Sequence, residues 1–63
     1  MKNYKINKIT NSSKTWRYAG MTNDYNEIIN EFERYKGKDG VTGLKITDVR
    51  TGKTIYSNEI KEV

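Results

Sequence analysis

The sequence predicts a small two-layer α+β domain, ordered β-β-α-β-β, with one helix packed on one face of an antiparallel sheet. Three observations carry the prediction. Apolar residues recur at helical spacing in the middle of the chain, alternating segments separated by turn residues flank that stretch on both sides, and 63 residues leave room for one domain. The span 1–63 is read as that single domain. Residues 59–63 are expected to form a fraying tail, since only Ile60 and Val63 could anchor it.

The helix is the clearest element. Tyr25, Ile28, Ile29, Phe32 and Tyr35 form a stripe along one side of a 3.6-residue period, while Asn26, Glu27, Asn30, Glu31, Glu33 and Arg34 fill the other side. Asp24 followed by Glu27 has the spacing of a capping box, and Thr22 is a competing cap. Gly37 suits a left-handed C-cap, and Arg34 and Lys36 favour the negative end of the helix dipole. The expected helix covers residues 24–36.

Before the helix, residues 4–9 alternate apolar and polar and then slip by one near Asn7 and Lys8, the signature of a bulge. Asn11 to Lys14 is turn chemistry, and Thr15 to Ala19 alternates again until Gly20 ends it. After the helix, Gly37, Gly40 and Gly43 mark a basic loop that matches no phosphate-binding or dinucleotide fingerprint. Strands follow at residues 44–49 and 53–57, joined by a turn in which Gly52 takes the left-handed position. That turn sets Ile46 opposite Tyr56 and Thr47 opposite Ile55. The strand order 2-1-3-4 places the two most aliphatic strands at the centre. The expected core joins Tyr4, Ile6, Trp16, Tyr18, Leu44, Ile46 and Tyr56 to Ile28, Ile29 and Phe32, leaving the other sheet face bare.

Composition closes several functional classes. The chain has no histidine and no cysteine, so imidazole acid–base chemistry, thiol chemistry, Ser-His-Asp triads and zinc sites of the usual ligand types are absent. No cofactor, metal or catalytic constellation is expected, and the chain is read as not an enzyme. The acidic stripe Asp24, Glu27 and Glu31 reads as a solvated helix face, because no second element supplies further oxygen ligands. No disulfide can form, no long apolar run exists, and the first residues lack a hydrophobic export segment, so a cytoplasmic protein without membrane spans is expected. Apolar residues make up only 33% of the chain, but five tyrosines, one tryptophan and seven isoleucines argue for a folded core.

The formal charge of +4 is unevenly placed. Residues 1–23 carry five bases and no acid, residues 24–35 four acids and one base, and residues 36–54 five bases and two acids. Strict alternation from an inward Trp16 and Tyr18 sends Lys5, Arg17, Lys45 and Lys53 to the bare face, the candidate partner-binding surface. A plainer reading of the same bases is solubility. Lysine outnumbers arginine nine to three, seven asparagines are present, and leucine and alanine occur once each. This composition resembles the small accessory proteins of low-GC bacteria and their phages.

A binding module that modulates or inhibits a partner protein is therefore the first expectation. A weak nucleic-acid binder using the basic face is the second, and a structural subunit of an assembly the third. Protein is favoured over nucleic acid while Trp16 and Tyr18 are assigned to the core, since they cannot then stack bases. The exposed edge Thr15–Ala19 also makes a homodimer conceivable.

Overall fold

A computed structural model describes residues 2–60. Strands β1 (Tyr4–Thr10) and β2 (Arg17–Thr22) precede helix α1 (Asn26–Tyr35), and strands β3 (Val41–Asp48) and β4 (Lys53–Glu59) follow it. All three pairings are antiparallel and the sheet order is β2-β1-β3-β4, as the sequence predicts.

The helix is shorter than expected at its N-terminus because the capping residues are used in the turn before it. Thr22 Oγ1 accepts the Asp24 N–H at 3.0 Å, and Asp24 Oδ1 accepts the Asn26 N–H at 3.2 Å. Asp24 thus closes a local Asx-type turn rather than a capping box, and Tyr25 at the N-cap makes no side-chain cap bond. At the other end the left-handed residue is Lys36 (φ 48°, ψ 46°), one position earlier than Gly37, and its N–H donates to the Phe32 carbonyl at 2.9 Å. Gly37 continues with φ 87°.

Ile6, Phe32, Leu44 and Ile46 form the buried cluster, and Tyr4, Tyr25, Ile28, Ile29, Val41, Tyr56 and Ile60 pack around it. Leu44 and Ile46 are wholly buried. Truncating either to alanine would cost about 2–5 kcal/mol, much of the margin of a domain this small. Tyr4 and Tyr25 meet edge to face, with centroids 4.8 Å apart, and tie β1 to the start of α1. The Tyr56 hydroxyl donates to Glu33 Oε1 at 3.2 Å, linking β4 to the helix. Burial pushes the Tyr56 phenol up from its ordinary value; the Asn58 amide opposes this, and Glu33 adds to it.

Several expectations are corrected. Trp16 and Tyr18 are not in the cluster: Tyr18 is 66% exposed, and Trp16 lies against Lys45. Gly20 does not end β2, which runs on to Thr22. Gly43 is not in the loop but inside β3, where the side chain of Ile9 covers it. Thr47 faces Thr54, not Ile55. Glu59 belongs to β4, and the Ile60 N–H donates to the Thr42 carbonyl at 2.7 Å, so the expected tail does not begin at 59; residues 61–63 lie outside the described residues.

The changes of face and partner share a cause, one surplus residue in each pairing. Between Ile6 and Asn7 the β2 partner jumps from Gly20 to Tyr18, leaving Ala19 unpaired. Between Ile9 and Thr10 the β3 partner jumps from Gly43 to Val41, passing Thr42. Between Ile46 and Thr47 the β4 partner jumps from Tyr56 to Thr54, passing Ile55. The slip seen in the β1 pattern is therefore not a bulge in β1, whose residues 4–9 pair without interruption to β3. Ile9 points to the face opposite Ile6 and is buried there, 6% exposed, above the bare backbone of Gly43.

Two stability outcomes follow from this packing. Lys36→Gly relieves a left-handed lysine and should raise the unfolding free energy by about 0.5–1 kcal/mol in urea melts. At position 43 an added Cβ would lie 3.0–3.1 Å from three Ile9 side-chain atoms, including its Cβ. Gly43→Ala should therefore cost about 1–3 kcal/mol, and the same change in an Ile9→Ala background should cost less.

Candidate functional site

Residues directly opposite in an antiparallel sheet share a face, so the registers sort every side chain. Gly20, Ile6, Ile46 and Tyr56 form one row under the helix; Arg17, Lys8, Leu44 and Asn58 form the next. On the opposite face the rows are Met21, Lys5, Thr47 and Thr54; then Tyr18, Asn7, Lys45 and Ser57; then Ile9, Gly43 and Glu59. No element among the described residues covers this second face.

Ala19 decides what the face contains. With Gly20 set opposite Ile6, an uninterrupted strand would have carried Tyr18 and Trp16 toward the helix. One unpaired residue reverses everything before it, which turns Tyr18 outward and Arg17 inward. Gly20 (φ 124°) supplies the backbone freedom the irregularity needs. Trp16, two residues before Tyr18, follows it: the Lys45 ammonium sits 4.5 Å from the centroid of its ring, in cation–π contact.

The loop before Trp16 is held from within. The Thr10 N–H donates to Ser13 Oγ at 3.2 Å, the Ser13 N–H to Thr10 Oγ1 at 3.3 Å, and the Lys14 N–H to the Thr10 carbonyl at 3.0 Å. The Asn11 N–H also reaches the Gly40 carbonyl at 2.9 Å, so the loop is fastened to the segment leading into β3. These bonds fix where the chain re-enters the sheet.

Of the four bases expected on the open face, the structure places two there. Lys5 and Lys45 stand on it, half-buried among their neighbours. Arg17 falls in register with Lys8 and Leu44 on the helix side. Lys53 falls opposite Asp48, also on the helix side, because the passed-over Ile55 shifts β4 by one. Sequence reasoning placed Asn7 on this face but missed Ile9, Trp16, Tyr18 and Met21 as constituents of the same surface. The only available signal was the Ala19-Gly20 pair, a small residue beside one free to take positive φ inside an alternating segment.

The face is thus mixed: an indole and an exposed phenol, two separate apolar side chains in the buried Ile9 and in Met21, two ammonium groups, one carboxylate at Glu59, and several hydroxyls. It is not a pocket. Beside it lies an open groove of about 320 Å³, lined by Ile9, Thr10, Asn11, Lys14, Thr42, Glu59 and Ile60. On the helix side a cavity of about 90 Å³ lies among Lys8, Ile28, Glu31, Phe32, Asp39, Val41 and Leu44, well below the ~300 Å³ that small-molecule sites begin at. Among the described residues no group of three or more acidic side chains is arranged to hold a metal ion, and no helix is long and apolar enough to cross a membrane.

A scan of protein-family models finds none that matches the chain, and neither the curated proteins nor the solved structures give a match.

Proposed function

We propose that the chain is a non-enzymatic binding module whose helix-free sheet face takes single-stranded nucleic acid. The observation that carries this reading is the presence of Trp16 and Tyr18 on the same face as Lys5 and Lys45. Unpaired bases stack on aromatic rings, and lysines beside those rings neutralise the phosphates that connect the bases. A four-stranded sheet with two such rings has room for about two or three splayed bases. Bases of a duplex are already stacked on one another and do not offer their faces to a sheet, so a single strand is the occupant that fits.

Charge placement supports the choice. Glu59 is the sole carboxylate on the open rows, and the acids Glu27, Glu31 and Glu33 lie on α1, on the far side of the sheet. The lysine resting on Trp16 brings positive charge to the ring itself. With the aromatics outside the core, the main reason for preferring a protein partner is removed. The resemblance of the composition to accessory proteins of low-GC bacteria and their phages is compatible with an auxiliary nucleic-acid-binding role.

The test is fluorescence anisotropy with a labelled single-stranded 12-nucleotide oligomer of mixed sequence. Binding at about 20 mM salt is expected to weaken as salt rises, with a log–log slope of about −1.4 if Lys5 and Lys45 each neutralise one phosphate. Trp16 emission should be quenched in parallel. Tyr18→Ala and Trp16→Leu should each weaken binding by roughly 5- to 100-fold. Absence of any anisotropy change at low salt, from protein shown to be folded by circular dichroism, overturns the reading and leaves an acidic protein surface as the occupant to seek.

A further inference from the structure

We infer that Asn7 is a base-reading residue of this face and that it gives the platform a preference for adenine. The inference rests on the nucleic-acid reading above and adds to it which base is chosen.

Asn7 occupies the centre of the open sheet. In the central row it stands between Tyr18 on β2 and Lys45 on β3, about 5 Å from each along the hydrogen-bonding direction. Tyr18 is the most exposed large side chain of the face, and Lys45 carries the ammonium nearest the second ring. A base laid on the Tyr18 ring therefore has its edge over Asn7, while its phosphate lies within reach of Lys45.

The residue type is poorly explained by the fold alone. Asparagine is depleted in strands, where valine, isoleucine or threonine suits the pleat better, and β1 is a central strand. Nor is its amide spent internally: among the described residues no hydrogen bond uses the Asn7 side chain, whereas Asn23 Oδ1 accepts the Asn3 N–H at 2.9 Å and Asn58 Nδ2 donates to the Tyr56 hydroxyl at 3.5 Å. A half-buried amide with one acceptor and two donor positions unused is suited to a ligand that satisfies them.

That amide favours one base. A carboxamide pairs with a donor and an acceptor set side by side. Adenine presents that arrangement on both its Watson–Crick edge (N6–H and N1) and its Hoogsteen edge (N6–H and N7). Cytosine and thymine present such a pair on one edge only; guanine presents one on its Watson–Crick edge (N1–H and O6) but two acceptors on its Hoogsteen edge, so the preference is drawn against the pyrimidines. Adenine can be read in either orientation on the ring.

The experiment compares labelled single-stranded hexamers of deoxyadenosine, deoxycytidine and thymidine, with a fourth hexamer of N6,N6-dimethyldeoxyadenosine, which stacks but has no N6 donor. The wild-type protein is expected to bind the adenine strand roughly tenfold more tightly than the other three. Asn7→Ala should reduce that strand to the level of the others while changing them less than about twofold. Asn7→Thr, a better strand former, should behave as Asn7→Ala does, which separates lost reading from lost folding. Equal binding of all four strands, or an adenine preference kept by both variants, overturns the role of Asn7 and leaves the platform reading intact. No binding of any strand overturns both.

Discussion

A β-strand has two faces and a period of two, so a single surplus residue between paired positions reverses every side chain beyond it. In a four-stranded sheet with one helix, that constraint decides which residues are core and which are surface. Each pairing of this sheet contains one such residue: Ala19, Thr42 and Ile55. The first sends two aromatics to the open side and one arginine to the helix side. The second lets β3 start at Val41, which joins the packing around Phe32. The third keeps Tyr56 over Ile46 and against Glu33 while returning Lys53 to the side of Asp48.

The same constraint explains how a chain with so few aliphatic residues assembles a core. Four buried side chains suffice at the centre because half-buried tyrosines and isoleucines complete the layer, with their polar ends reaching outward. The opposite face is stabilised separately and more simply. Ile9 lies on the backbone of Gly43, so a β-branched side chain and a missing one fit together across two central strands. The remaining residues of that face have no helix over them.

The element order, the strand order and the position of the helix were all legible in the sequence, because they depend on long patterns: the stripe from Tyr25 to Tyr35 and two alternating segments on each side. The bare sheet face was legible too. Of what stood on it, Lys5 and Lys45 were legible and the two aromatics were not. Alternation starting from Ile6 and from Trp16 gives each strand a clear inside and outside, but nothing in those local patterns joins the two with the right count. Ala19 adds one residue, and the indole and phenol change sides. Gly43 was hidden for a related reason: between Gly40 and Leu44 a glycine reads as loop, and its need to lie under Ile9 is a tertiary fact. The caps were displaced by a single position, since Asp24 and Lys36 satisfy neighbouring backbone groups by shorter turns.

The irregular strands have one more effect, on the sheet margins. Both outer strands, β2 and β4, carry their surplus residue in mid-course. An incoming chain that tried to add itself to β2 would find regular hydrogen-bonding geometry only along Arg17–Tyr18 and again along Gly20–Thr22, with the break at Ala19 between them. On β4 the break comes at Ile55, the most apolar position of that margin, and twists it out of line. Fibril growth requires long, flat, uninterrupted templates. A small, apolar-poor domain with two free margins is thereby protected against stacking on its own copies, by the same insertions that set its aromatic rings facing solvent.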